Sequence, residues 1–297
     1  MNTTNRVALV TGASRGIGKA IAQELGQSEY KVYLTGRTRE GQESYSKLPG
    51  SIDETARLIE HAGGQAVAVP CDHSDDQAVE ELFSQIADET NGLDLLVNNA
   101  WSGYSTMQRR LEEALAGKKS KKKMIEGMEA AFGEFTEPFW TMSLGNWDEM
   151  SIVGVRSHYV ASVLAARSMV KRQHGLIVNI TADISQSGGQ VAYSMAKSAI
   201  NRMTVDMAEQ LRSSNVATVA IQPGMVLTEM YQERYRKGFL DANDYKRFEA
   251  PAFVGKIVAN LAASEDVLSY SGKTVRTSEI GKSLEVPWLD GSHVDTD

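Results

Sequence analysis

The chain's 297 residues are 42% hydrophobic, enough to build the core of one α/β domain. A formal net charge of −7 leaves no domain-wide positive field and argues against a nucleic-acid partner. One cysteine, no metal-ligand spacing among five histidines, no apolar run near the roughly 20 residues of a bilayer span, and a polar N-terminus set the expectation: a cytoplasmic protein without metal or integral membrane segment.

Arg6-Val7-Ala8-Leu9-Val10 reads as a β-strand that runs into Thr11-Gly12-Ala13-Ser14-Arg15-Gly16-Ile17-Gly18, followed by a helical pattern stopped at Gly26. Strand, glycine-rich turn and helix in that order form the context of a dinucleotide-binding loop. The glycines let the backbone approach a pyrophosphate seated at the positive end of the helix. Lys31 to Thr35 is a second strand, ending at Gly36-Arg37-Thr38-Arg39. An acidic residue there would bind the ribose 2′-hydroxyl of NAD; arginines stand there instead, and Arg15 with Arg37 could clamp a 2′-phosphate. NADP(H) is therefore preferred, with NAD(H) as the second option. Both arginines also suit an ordinary solvated surface.

A helix over Ile52 to His61, a strand over Ala66 to Pro70, a helix over about Asp75 to Thr90 and a strand over Leu93 to Val97 complete a βαβαβ rhythm. Such a rhythm predicts parallel strands, right-handed crossovers and a ligand crevice beyond the strands' C-terminal ends. Cys71 at one strand end reads as a buried structural thiol; Asp72 and Asn99 fall at the crevice, or merely cap loops. From 101 to about 145 the rhythm breaks into an insertion. A helix is expected over Met107 to Met128, a lysine cluster lies at 118–123, and the aromatics Trp101, Tyr104, Phe132, Phe135, Phe139 and Trp140 punctuate the segment.

A long helix follows over Trp147 to Lys171, then strands over Leu176 to Ile180 and Val216 to Ile221, a helix around Tyr193 reaching about Arg212, and a last strand over Ser271 to Arg276. Residues 227–250 are charged and aromatic and read as a substrate lid; a helix over Phe253 to Ala263 comes after them. No internal repeat or low-complexity linker interrupts the chain, which reads as one domain over 1–297. In the Tyr193 helix, Lys197 lies one turn on. Residues four apart share a face, so phenol and ammonium can work side by side, the cation favouring the ionised phenol. A tyrosine so tuned can give a proton to a carbonyl oxygen or take one from an alcohol.

TGASRGIG at 11–18, Asp72, Asn98-Asn99-Ala100, Tyr193-xxx-Lys197 and Pro223-Gly224 occur in the order and near the spacing of the short-chain dehydrogenase/reductase family, which the chain resembles over almost its whole length. Trp101, the insertion after it, Trp147-Asp148 followed by Gly154, and Ser269-Tyr270-Ser271-Gly272-Lys273 look closest to the dehydrogenase/reductase member 1 branch. The resemblance implies a single-domain Rossmann fold, a doubly wound, mostly parallel sheet of seven strands with helices on both faces. It implies Tyr193 as general acid/base and Lys197 as its partner and ribose anchor. It further places Gly12, Ser14, Arg15, Ile17 and Gly18 along the pyrophosphate and adenosine side, Arg37 at the 2′-phosphate, Asp72 at the adenine edge, Asn99 at the adenosine-side ribose region, and Val226 and Thr228 at the nicotinamide amide.

Two positions depart from the family pattern. The usual catalytic serine has no direct equivalent: Ala182 falls where it would stand, Thr181 keeps a hydroxyl one step away, and Ser185 or Ser187 could reach in from the loop. Thr181 is the candidate substitute. Gly154 stands where many members carry an asparagine. The leading expectation is an NADP(H)-dependent oxidoreductase moving hydride between nicotinamide and a lipophilic carbonyl or secondary alcohol, its pocket lined by Trp101, Phe139, Trp140 and Met225. The alternative is a catalytically weak NADP(H)-binding scaffold or redox sensor. The resemblance also implies a homodimer or homotetramer built on the long helices around 148–171 and 191–212.

Overall fold

Apolar, β-branched runs set the centre of the molecule. In the computed structural model, which describes residues 6–42, 44, 47–103, 138–186, 191–236 and 246–290, strand β1 (Arg6–Val10) is buried from Val7 onward. It pairs in parallel with β2 (Tyr30–Gly36) on one side and β4 (Leu95–Asn98) on the other. With β3 (Gln65–Pro70), β5 (Gly175–Ile180), β6 (Val216–Gln222) and β7 (Thr274–Arg276) they form one seven-stranded sheet in the order β3-β2-β1-β4-β5-β6-β7. Every pairing within it is parallel, so the expected "mostly parallel" sheet is wholly so. Strands covered on both faces need no polar alternation, which is why β1, β4 and β5 read as nearly unbroken apolar runs.

Two cores flank the sheet. On one face Ile21 and Leu25 of α1 (Gly16–Gln27), Ile59 of α2 (Ile52–His61) and Phe253 of a later helix (Pro251–Ala263) pack on Val10, Val32 and Val178. On the other, Leu82 and Ile86 of α3 (Asp76–Glu89) and Ala165 and Met169 of a helix over Ser157–Arg172 pack on Leu9, Leu96 and Ile177. Start signals are explicit. The Ser51 hydroxyl accepts the Glu54 N–H at 3.0 Å, Asp75 accepts the N–H groups of Gln77 and Ala78 at 3.0 and 3.4 Å, and Pro251 sits in the first turn of its helix.

The expected helix over 147–171 is three pieces: α4 (Leu144–Ser151), a π-helical turn at Ile152–Arg156, and α5 (Ser157–Arg172). Beyond it run α6 (Val191–Leu211), α7 (Glu229–Arg236), α8 (Pro251–Ala263) and α9 (Thr277–Ser283). Strand β7 is shorter than expected because the chain before it turns at Gly272, at φ +83°, while the Ser271 hydroxyl takes the Thr218 N–H at 3.1 Å. The helix expected over Met107–Met128, the lysine cluster, Tyr104, Phe132, Phe135 and Ser187 lie outside the described residues. Among those described, no helix is long and apolar enough to cross a membrane.

The strand order reverses between β1 and β4, where the chain leaves β3 and returns on the far side of β1. At such a switch point neighbouring loops part in opposite directions and open a crevice at the strands' C-terminal ends.

Candidate active site at the β1–β4 switch point

The loop after β1 is built around its own backbone. The Thr11 hydroxyl donates to the Val97 carbonyl (3.3 Å) and accepts the N–H groups of Asn99 (2.9 Å) and Ala100 (3.0 Å), tying the ends of β1 and β4 together. The Asn99 side chain donates to the carbonyls of Thr11 (2.9 Å) and Gly12 (3.0 Å). Gly12 adopts φ +69°, and a Cβ there would lie 2.8 Å from Ala100 Cα; one on Gly18 would lie 2.3 Å from the Gly12 carbonyl oxygen. Both glycines are required, one by conformation and one by space. Ser14 is buried beside Gly36, and Ile17 packs onto the core.

At the N-terminus of α1 the Gly16 N–H donates to a carboxylate oxygen, Glu229 Oε2, at 2.8 Å. This helix end thus already holds an anionic oxygen, as its aligned dipoles favour. Thr228, the residue before, lays its methyl group against Gly16. Val226 is buried, and its backbone bridges to Glu249. Sequence reasoning did not single out Glu229; its signal was an acidic residue directly after a threonine at the crevice.

Arg15 reaches away from the loop, donating to the carbonyls of Pro49 and Gly50 at 3.0 Å each and to the Thr38 hydroxyl at 3.4 Å. Burial lowers its pKa; Glu229 and Glu54 oppose the shift, and the like charge of nearby Arg37 adds to it. Arg15 and Arg37 therefore sit as neighbouring cations. Arg37 is half-exposed, 3.8 Å from Asp72 Oδ2. Asp72 Oδ1 accepts the Ser74 N–H and hydroxyl at 2.9 and 2.8 Å; these bonds and Arg37 outweigh burial and hold the carboxyl below the usual range. Arg39 lies apart, paired with Asp53 through Nε at 2.9 and 3.0 Å. A turn with no room for a Cβ at Gly12 or Gly18 and a helix end that binds an oxygen anion fit the pyrophosphate of a dinucleotide.

On α6 the phenol of Tyr193 is partly buried, and Lys197 is only 6% exposed. Lys197 Nζ donates to the Ile180 carbonyl at 3.4 Å and lies 5.9 Å from the Tyr193 ring centre. Burial drives its pKa down to about 7. The indole of Trp101 comes closer, its centre 3.9 Å from Nζ, and meets the Tyr193 ring in a T-shaped contact at 5.6 Å. His158 of α5 lies behind, fully buried, its Nε2 3.1 Å from the Ala100 carbonyl. Burial and then the Lys197 charge bring its pKa to about 3, so the ring is neutral and Nε2 carries the proton.

Thr181 is placed differently from a substrate-facing serine. Its hydroxyl is buried and directed at the Lys197 carbonyl, 3.5 Å away, on the α6 backbone. Ala182 is half-buried, and the exposed Ser185 hydroxyl bonds to Asp183, which also receives Arg276 at 3.0 Å. Of the expected pocket lining, Trp101 joins the Tyr193–Lys197 pair. Phe139 and Trp140 are 61% and 75% exposed and stack edge to face on each other, and Met225 is also exposed. Cys71 is buried and its thiol is pushed up to about 11, so it stays protonated. Among the described residues, no cluster of three or more His, Cys, Asp or Glu could hold a metal ion.

Comparison with known proteins agrees with this fold. The family model for short chain dehydrogenase matches residues 6–120 and 127–238. Dehydrogenase/reductase SDR family member 1 of Mus musculus is 32% identical over 303 aligned residues, 97% of this chain and 85% of that protein. The Homo sapiens protein of the same name is 33% identical over 299, with the same coverage. Among solved structures, a metagenomic short-chain oxidoreductase in complex with NADP matches with a TM-score of 0.64 at 27% identity, covering 91% of this chain and 96% of that one. Fold, loop and relatives converge: the chain belongs to the short-chain dehydrogenase/reductase family of oxidoreductases, on the side of it that resembles dehydrogenase/reductase member 1.

Proposed function

We propose that this oxidoreductase uses NADP(H) to interconvert a lipophilic carbonyl compound and its secondary alcohol, with Tyr193 as general acid/base and Lys197 as its electrostatic partner. The observation that carries the reading is the buried Lys197, held one helical turn from Tyr193 at the C-terminal end of β5. When bound, the nicotinamide supplies or takes up the hydride. The protein's own part is geometry and the proton. In reduction Tyr193 Oη gives its proton to the carbonyl oxygen as the carbon becomes tetrahedral; in oxidation it takes that proton from the alcohol. The Lys197 ammonium stabilises the phenolate form through which Tyr193 passes.

The cofactor would lie along Gly12, Ser14, Ile17 and Gly18, with Arg15 and Arg37 receiving the 2′-phosphate, Asp72 and Asn99 at the adenosine end, and Val226 and Thr228 at the nicotinamide end. The neighbouring cations Arg15 and Arg37 support NADP(H) over NAD(H). Asn99 spends its amide N–H groups on the loop, so its share in binding is to hold that loop. We assign Thr181 the same kind of role, bracing α6 at Lys197, and leave substrate polarisation chiefly to Tyr193. Residues 227–250, of which 237–245 lie outside the described residues, would serve as the lid; in the described part Leu227 and Phe248 pack with Tyr231 and Tyr235. Self-association through α5 and α6 and residence in a reducing cytoplasm belong to the same proposal.

Turnover of NADPH and NADH against ketones, aldehydes and quinones, with Tyr193→Phe alongside, tests the reading. Activity that collapses in the variant supports it; activity that survives refutes the Tyr193 assignment. The hydroxyl turned inward at Thr181 and the methyl of Ala182 favour one second reading, a weakly active NADP(H)-binding scaffold. Tight NADPH binding without consumption on any substrate would select it.

A further inference from the structure

We infer that Trp101 is a positioning residue for Lys197: its indole face, seated in a slot cut by Gly103 and Gly154, holds the lysine's ammonium beside Tyr193. The inference rests on Tyr193 and Lys197 being the working pair. An ammonium has three N–H donors, yet the oxygen partner of Lys197 among the described residues is the Ile180 carbonyl at 3.4 Å. Among those residues no carboxylate pairs with it. What faces the charge is an aromatic ring, its centre 3.9 Å from Nζ and well inside the roughly 6 Å over which a ring quadrupole attracts a cation. The same ring meets Tyr193 edge to face at 5.6 Å and 86°. One side chain thus touches both members of the pair.

The slot shows that the contact is built in. A Cβ on Gly154 would lie 2.2 Å from Trp101 Cζ3, and one on Gly103 would lie 2.8 Å from Cζ2 and 2.6 Å from Met150 Cγ. Neither glycine has a positive φ, so backbone conformation does not ask for glycine at either place; the indole does. Gly154 is also the middle residue of the π-helical turn at Ile152–Arg156, a widened turn of the kind that recurs at functional sites. Among the described residues, the titratable groups facing Lys197 are Tyr193 on its own helix and His158 on α5, the latter neutral through burial. With β5 contributing only a backbone carbonyl, Trp101 is the described side chain that favours the charged state of Lys197 without itself titrating.

The test reads the ionisation of Lys197 directly, by NMR titration of protein carrying ¹³C-labelled lysine, with Lys197→Met used to assign the signal. Trp101→Leu should lower the Lys197 pKa by about one pH unit, from the strength of a desolvated cation–π contact. Trp101→Phe, which keeps a weaker ring, should recover at least part of that shift. Gly154→Ala, which drives the ring off its seat while leaving Trp101 in the chain, should lower the value as well. The alkaline limb of reductive kcat/KM should move to lower pH in step. Should Trp101→Leu not fold, Trp101→Phe and Gly154→Ala carry the comparison. An unchanged or raised Lys197 pKa in the folded variants overturns the inference. Activity surviving in Tyr193→Phe would instead remove the catalytic reading while leaving the ring–ammonium titration to stand or fall separately.

Discussion

Lys197 is costly where it stands. Its pKa of about 7 in the folded chain against an ordinary 10.5 means that burial disfavours the charged form. Between those values the unfolded chain holds the proton more readily, so stability falls as pH drops from 10.5 towards 7, by on the order of 4 kcal/mol in all. Lys197→Met should therefore raise the urea midpoint near pH 7 while abolishing turnover, a loss of function with a gain of stability. A variant no more stable than the parent would mean that the ring, the carbonyl and nearby water already compensate the charge. Arg37→Ala should raise the KM for NADPH by about tenfold, one charge-assisted contact, and leave that for NADH almost unchanged. Equal effects on both cofactors would remove the 2′-phosphate assignment. Ala182→Ser, restoring a hydroxyl at the crevice, should raise kcat; unchanged kcat would show that the site works without that donor. At this scale residue type and spacing marked Tyr193, Lys197, Arg15 and Arg37 as candidates, and the structure brings Tyr193 near Lys197 and Arg15 near Arg37. The sequence could not disclose where the Thr181 hydroxyl points, because a rotamer is settled by packing against α6.

At the scale of elements, the first βα turn was legible because its glycines have no substitute: Gly12 by its φ of +69°, Gly18 by its contact with the Gly12 carbonyl. Gly18→Ala should destabilise the fold by roughly 2 kcal/mol through overpacking, and abolish cofactor binding. Calorimetry reads both, and a stable variant that binds normally would show the turn able to relax. The start of α1 carries a second element's side chain. Glu229, at the head of α7, occupies the Gly16 N–H that a phosphate would also use. Glu229→Gln keeps an oxygen for that N–H and deletes the negative charge. It should tighten NADPH binding several-fold, since repulsion between a carboxylate and a phosphate is removed; unchanged affinity would place the pyrophosphate elsewhere. The π-helical turn was not legible, because periodicity over Trp147 to Lys171 is nearly the same for a continuous helix as for one with a single widened turn. Its trace in the sequence was Gly154, a glycine within a helical run.

For the molecule as a whole, topology was the most legible feature. Alternating strands and helices leave few ways to wind a sheet, and right-handed crossovers select among them the observed parallel order. Acid stability depends on two histidines far apart in sequence. Burial lowers His73, bonded at 2.7 Å to the Thr35 hydroxyl, to about 4, and His158 to about 3. Below the ordinary value of 6.5 the unfolded chain binds protons that the folded chain refuses. Stability is thus full above about pH 7 and is lost as pH falls towards those lowered values. At pH 5 each histidine should cost about 2 kcal/mol, lowering the urea midpoint relative to pH 7.5. His73→Gln should flatten that dependence, and a midpoint that ignores pH would show both rings hydrated in solution.

Asn98 and Asn179 stand opposite each other in the register of β4 and β5. The Asn98 amide donates to Asn179 Oδ1 and Ser162 Oγ, and the Asn179 amide donates to Thr204 Oγ1, each at 2.9 Å. Sliding two aliphatic parallel strands by two residues would bury much the same surface, since side chains return to the same face every second residue. Sliding these would strand two amides among hydrocarbons, at a few kcal/mol apiece. The pair works as a vernier: it admits one alignment. That alignment fixes where the chain emerges at Ala100 and at Thr181, and so sets the spacing across which Trp101 and Lys197 meet.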